Sequence, residues 1–579
     1  MRPRQEPNWL ALGVLVMLLA AVVFFACLGS TALSDRDEGE YAASVAEMRR
    51  SGDYLVPRLN GRLYLEKPIL IFWAVAASQY LFGQNEFAAR LPSALSAWLL
   101  GLLLLLGVRR AGGRRWWGVL SAAAFCFSPL VVLVGRAVLT DMLLTLFTTA
   151  SLLSFFIASQ GDDREDRRWY LAAWTCLGLG FLAKGPVALA VVLPPAAIYS
   201  ALCGRLVHNL KRSRPHWGGL VFLAINLPWY GWAFYRLGEV FWQGFFVSQN
   251  LVRFSQVLLG HGGSVLYYLP VLLLGMFPFS ALAWPPLLTA LFKESRGARQ
   301  ASPEQRLRLF AAVSATWTVV VFSLAATKQI NYVLPAMPFL AILAADLWHR
   351  LLGAGQGALP GRRGFAVSLV VLAALWAAAL ALAPWGLAHY WDQVVASIRF
   401  DSSEYALAAA PPDLGLWPWL AAGAAVLAAG AWLLAGRVRA GAAVAGGCLA
   451  AALFASITMG GLLGRVSDQV QAPAVEMARQ VRTAFQGRRV IMLSYGLWKP
   501  SLLFYLDRSL YTYWVRDPFP RGLFLRHRPV VVFSRVRLAD RLQDQPGFVE
   551  LKRAGGYLLG GNQAARRLWR NRGLRTGRR

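Results

Sequence analysis

The residues able to do chemistry are few and collect in short stretches. The densest reads Ser34-Asp35-Arg36-Asp37-Glu38-Gly39-Glu40-Tyr41, and the same loop continues through Gly52 to Gly61 and Glu66-Lys67-Pro68. Asp141, in Leu139-Thr140-Asp141-Met142, Lys184, Arg253 in the stretch Asn250 to Phe254, and Lys328 complete the set. Fixed cations such as Lys67, Lys184 and Arg253 suit a phosphate oxyanion, and carboxylates such as Asp37 suit a proton or a metal. Each also has a plain structural reading. Asp37 and Glu38 favour a helix N-terminus, with Ser34 as its cap and Gly52 as its end. Lys67 can snorkel to headgroups beside Glu66, Asp141 can cap the helix after it, and Lys184 and Lys328 can anchor an interface. Their coincidence favours function: only seven of the 59 basic residues are lysines, and Lys67, Lys184 and Lys328 all fall at corresponding ends of apolar runs. Glu40 lies one helical turn beyond Asp37 and is the natural control for it.

These residues must be positioned by a membrane protein. The chain has 579 residues, 57% hydrophobic and only 15% charged, which excludes a soluble enzyme, a fibre, a disordered hub and a small secreted scaffold. The net charge of +30 comes from basic residues set between apolar runs, so it marks topology rather than nucleic-acid binding. Five scattered cysteines, Cys27, Cys126, Cys176, Cys203 and Cys448, form neither a disulfide framework nor a zinc motif.

The first apolar run, Trp9 to Gly29, follows Arg2 and Arg4 and is long enough to cross a bilayer of roughly 30 Å, so it reads as an uncleaved span with its start inside. Twelve further spans are expected near 86–108, 116–134, 142–159, 169–183, 185–203, 216–235, 265–292, 309–326, 332–348, 365–388, 416–435 and 440–463. About thirteen spans put the arginine-rich connections inside and every candidate residue outside. Residues 1–464 then form the membrane domain, with an outer catalytic loop at 30–85, and 465–579 form a small extracytoplasmic α/β domain. In the latter a polar-faced helix (Val466, Val470, Met477, Val481, Phe485) precedes strand-like runs at 489–494, 509–515 and 529–534. The last fourteen residues hold seven arginines, read as a disordered tail drawn to anionic headgroups or an acidic partner.

In order along the chain, Asp37-Glu38-Gly39-Glu40-Tyr41, Gly52 to Gly61, Glu66-Lys67-Pro68, Glu86 to Pro92, Leu139 to Met142, Phe181 to Pro186, Asn250 to Phe254 and Lys328 to Pro335 resemble the bacterial aminoarabinose lipid A transferase family. These are polyprenyl-phosphate-sugar transferases of the C-type glycosyltransferase fold, relatives of the protein O-mannosyltransferases. The resemblance implies Asp37, Glu66 and Asp141 as catalytic acidic residues. It implies Lys67, Arg253 and Lys184 as ligands of the donor phosphate, and Glu38, Tyr41, Lys328 and Tyr332 as cavity-lining residues. Asn250 stands where some relatives have a histidine near a bound metal, and Lys328-Gln329-Ile330-Asn331-Tyr332 is a loose form of the family's Lys-Leu-Pro-x-Tyr pattern. A divalent metal ion is the one cofactor the resemblance admits.

The expected partners are therefore a polyprenyl-phosphate-linked sugar, an acceptor that is lipid A, a glycan or a protein, and membrane lipids, at the outer face of a bacterial inner membrane. Departure of a phosphate dianion from an oxocarbenium-like sugar needs cations, and a single displacement inverts the anomeric centre. A hydroxyl acceptor would need Asp37 as a base, whereas a phosphate acceptor would not. A multi-pass transporter or flippase of a lipid-linked or anionic substrate is the alternative, but it would place its ionisable residues near the midplane of repeated halves.

Overall fold

The computed structural model describes residues 8–161, 163–257, 262–353, 362–397, 411–434, 440–517, 519–520 and 522–571. Among them, six helices are long and apolar enough to cross a membrane: Glu86–Arg110, Thr140–Gln160, Pro303–Leu324, Ile330–Leu351, Ala366–Gln393 and Val444–Ala484. A seventh crossing is made if Trp116–Cys126 and Pro129–Gly135, bent by 66° at their junction, act as one. Shorter apolar helices, including Trp9–Phe25, Leu70–Phe82 and Val187–Leu202, pack among them. Many of these helices carry apolar residues all round, as a bundle immersed in lipid requires.

The helix Asp37–Ser51, here called the loop helix, lies between the first apolar helix and Leu70–Phe82. Asp37, Glu38 and Glu40 occupy its first turn and Arg49 and Arg50 its last, an order that complements the helix dipole. Gly52 ends it in the left-handed conformation (φ 73°), donating its N–H to Met48. The expected cap differs: the Ser34 hydroxyl donates to the Glu38 carboxylate at 2.9 Å instead of accepting from the helix, and Arg36 precedes the first turn at φ 66°, ψ −119°. Beyond the helix, β1 (Arg58–Leu59) and β2 (Arg62–Leu63) pair across an Asn60-Gly61 turn with φ of 56° and 81°, which an Asn-Gly pair tolerates.

Two further elements depart from regular or expected form. Trp242–Val252 is an eleven-residue π-helix that delivers Arg253 at its end. Near the C-terminus the expected boundary at 464/465 falls inside the continuous helix Val444–Ala484. The polar-faced pattern is the last part of that helix, with Val470, Met477 and Val481 buried.

The C-terminal strands are β3 (Ile491–Tyr495), β4 (Tyr511–Tyr513), β5 (Val530–Arg535), β6 (Val549–Ala554) and β7 (Tyr557–Gly561), in sheet order β4-β3-β5-β7-β6. β3 runs parallel to β4 and β5, and β7 antiparallel to β5 and β6. Three of the five coincide with the expected runs. The start of the arginine-rich tail is not irregular: Gln563–Arg570 is a helix that buries Trp569, and residues 572–579 lie outside the described residues. One hydrophobic core joins Tyr41, Val45 and Met48 of the loop helix to Leu502, Leu503, Met477 and Val481.

Candidate active site

Three cations converge on one cavity of about 510 Å³: Lys67 before the helix Leu70–Phe82, Lys184 ending Asp163–Lys184, and Arg253 ending the π-helix. Glu66, Tyr332, Asn250, Gln249, Ser255 and Thr327 complete its polar lining, and Val187, Ala190, Leu251, Phe254, Val321 and Phe322 form an apolar wall. The cavity is thus amphiphilic, suited to an anionic headgroup joined to an apolar chain.

The cations differ in how far they are satisfied. Lys184 Nζ lies 2.6 Å from Asp141 Oδ1 and 4.7 Å above the Tyr332 ring. Lys67 Nζ and an Arg253 Nη each stand 4.0 Å from the same Glu66 oxygen, beyond hydrogen-bond reach. Arg253 donates a long 3.4 Å bond to the Tyr332 hydroxyl, and among the described residues its Nε has no partner. Burial lowers the Lys67 ammonium from its ordinary range, with Arg253 and Lys184 nearby adding to the effect. An incoming anion would relieve Lys67 and Arg253.

Asp37 borders this cluster. Among the described residues its carboxyl makes no ion pair or side-chain hydrogen bond; burial raises its pKa, opposed by Lys67 and reinforced by Asp141 and Glu66. The sequence placed Asp37, Glu66, Asp141, Lys67, Lys184, Arg253 and Tyr332 near one another, and the fold brings them together.

Three expected lining residues point elsewhere. Glu38 is buried in a two-pronged pair with Arg90 (2.9 and 3.0 Å) and also accepts the N–H groups of Ser34 and Val138. Tyr41 is 1% exposed, packed edge-on by Tyr64 and Phe72. Lys328 turns its ammonium onto the carbonyls of Ser323 (2.8 Å) and Ala325 (2.7 Å), capping the end of Pro303–Leu324. Charge and position alone do not reveal such commitments.

The sequence alone undervalues one residue. Glu40 accepts the Tyr64 hydroxyl at 2.8 Å, and burial together with Glu66 and Asp37 raises its carboxyl to about 7. Its position one turn from Asp37 is the available signal.

The carboxylates bordering the cavity face cations. Among the described residues no three His, Cys, Asp or Glu side chains gather as ligands. The Asp141 carboxylate holds Lys184, that of Glu66 faces two cations, and the Asn250 amide donates to Phe245 O at 2.8 Å.

Comparison with known proteins gives these features a class. Residues 66–232 match the family model described as dolichyl-phosphate-mannose-protein mannosyltransferase. The chain is 33% identical to the undecaprenyl phosphate-α-4-amino-4-deoxy-L-arabinose arabinosyl transferase of Erwinia tasmaniensis, over 75% of this chain and 76% of that one. It is 29% identical to arabinosyl transferase 1 of Sodalis glossinidius, over 93% and 94%. Its fold is that of ArnT from Cupriavidus metallidurans, solved with undecaprenyl phosphate bound, with a TM-score of 0.74, 24% identity and coverage of 95% and 98%. The protein is an integral-membrane glycosyltransferase of C-type fold. It belongs to the undecaprenyl phosphate-aminoarabinose arabinosyl transferase family.

Proposed function

We propose that the chain moves 4-amino-4-deoxy-L-arabinose from undecaprenyl phosphate to lipid A, at the extracytoplasmic face of the bacterial inner membrane. The observation that carries this reading is the pair of under-satisfied cations, Lys67 and Arg253, in a cavity with an apolar wall. Lys67, Arg253 and Lys184 bind the donor phosphate and gain most when it becomes the departing dianion. The acceptor oxygen attacks the anomeric carbon from the opposite face as the bond to the phosphate oxygen breaks, inverting that centre. An acceptor hydroxyl would pass its proton to Asp37; a lipid A phosphate is already ionised, and Asp37 then orients the sugar. Glu66 and Asp141 hold the cations in place.

Thirteen crossings, with the loop helix and the C-terminal sheet outside, fit this reading. Short apolar helices such as Trp9–Phe25 and Val187–Leu202, with Asp163–Lys184 and Pro215–Leu237, would make the crossings beyond the long ones, and the arginine-rich connections favour the inner side. Reporter fusions at Gly61 and Gly555 should both report the outside; an inside signal at either point removes the site from the outer face. The function itself is tested by release of undecaprenyl phosphate from the sugar-charged lipid, with mass spectrometry of lipid A from cells with and without the protein. Unchanged lipid A would reject the acceptor, and absence of lipid release would reject the donor.

A further inference from the structure

Asp37 stands between two anchored neighbours. On its C-terminal side Glu38 is locked to Arg90. On its N-terminal side the Asp35 side chain, 2% exposed, pairs with the equally buried ammonium of Lys499 and accepts the backbone N–H of Ser501 at 2.9 Å. Gln471 also accepts from Lys499, whose nitrogen lies 5.3 Å from the Tyr557 ring centre. Lys499, Gln471 and Tyr557 all belong to the C-terminal part of the chain, distant in sequence from the loop.

Between the anchors, Arg36 holds φ 66° and ψ −119°, a backbone that L residues rarely adopt and that persists only where surroundings over-determine it. Among the described residues no side chain caps the loop helix. The approach is close: a Cβ on Gly39 would lie 2.7 Å from the Ser501 nitrogen. Simple docking needs nothing so buried. The pair Arg479–Glu86 ties the C-terminal region to the start of the helix Glu86–Arg110 with the arginine 55% exposed, and a buried ion pair is weak evidence of stabilisation by itself.

We propose that the C-terminal region positions the active site from outside the cavity, the Asp35–Lys499 pair fixing the first turn of the loop helix and so setting Asp37 against Lys67. This rests on the reading of Asp37 as a group that acts in transfer.

The test uses the full chain in detergent and compares Asp35→Asn/Lys499→Met, which removes both charges together, with Arg479→Ala and Asp37→Asn. The double variant should lose about a hundredfold in turnover, the size expected of an ångström-scale misplacement, while undecaprenyl phosphate binding stays within about twofold. Amide exchange at residues 37–40 should quicken while exchange in the bundle is unchanged. Arg479→Ala should keep wild-type turnover. A folded double variant with near-normal turnover, or one whose turnover falls only in step with lipid binding, overturns the proposal. If the double variant does not fold, Gly39→Ala, which crowds Ser501 without altering charge, should show the same selective loss, and normal turnover there overturns it equally. Full activity of Asp37→Asn would instead remove the underlying reading, whereas loss there beside a normal double variant removes only the positioning role.

Discussion

Glu38–Arg90 and Glu66–Lys67–Arg253 are both acid–base clusters reached from the same loop, and they are finished to different degrees. Around Glu38 the groups are answered in full: Arg90 spends its Nε and one Nη on the carboxylate, and its other Nη on Leu28 O and Thr31 O at 3.1 and 2.8 Å. Around Glu66 two cations stop at 4.0 Å from one oxygen, and among the described residues Arg253 Nε has no partner. A buried charge left unanswered is costly, so a cluster that tolerates it is built for something that arrives. The first cluster holds the loop; the second awaits an anion.

The sharpest way to break this contrast is to cut the finished cluster. Glu38→Gln leaves Arg90 buried beside half a partner, and should cost about 3–5 kcal/mol, read as a lower thermal midpoint in detergent. The adjacent Asp37→Asn should leave that midpoint unchanged and lower transfer by about a thousandfold while undecaprenyl phosphate still binds. If the two substitutions behave alike, the distinction between the clusters fails. Within the open cluster, Lys67→Ala or Arg253→Ala should each reduce turnover about a hundredfold with folding intact.

Glu40 sharpens the comparison through pH. Its folded carboxyl titrates at about 7 against an ordinary 4.5, so between those values the folded chain keeps a proton that the unfolded chain loses. Its contribution to stability is fully present below about 4.5 and is lost as pH rises through about 7. Glu40→Gln should flatten that slope in thermal melts across the same window. The smallest effect is expected at Lys328, whose ammonium is committed to two carbonyls. Lys328→Met should change turnover less than about twofold, and a larger loss measured by lipid release would return it to the site.

The loop helix was legible because its signals are local: acids at the start and Gly52 as the stop. The convergence of Lys67, Lys184, Arg253 and Asp141 was legible through scarcity and family likeness. What stayed hidden depends on distant partners. Glu38 and Asp37 are alike in sequence, and only the arrival of Arg90 from another helix separates them. Glu40 looks ordinary until burial, with Glu66 beside it, raises its proton affinity. Strands β6 and β7 were missed because one carries alternating charges (Glu550, Lys552, Arg553) and the other ends in Gly560-Gly561, so neither reads as an apolar run.

The π-helix before Arg253 makes chain length itself a determinant of the site. Eleven residues are wound there with i→i+5 hydrogen bonds, more residues to each turn than an α-helix uses. Deleting any one of them would let the segment relax to ordinary winding, turning every later side chain by about 100° around the axis. Arg253 would then swing off the cavity with its own codon untouched. Along Trp242–Val252 a single-residue gap is therefore a harsher change than most substitutions, and alignments that drift by one position there would assign the guanidinium to the wrong face.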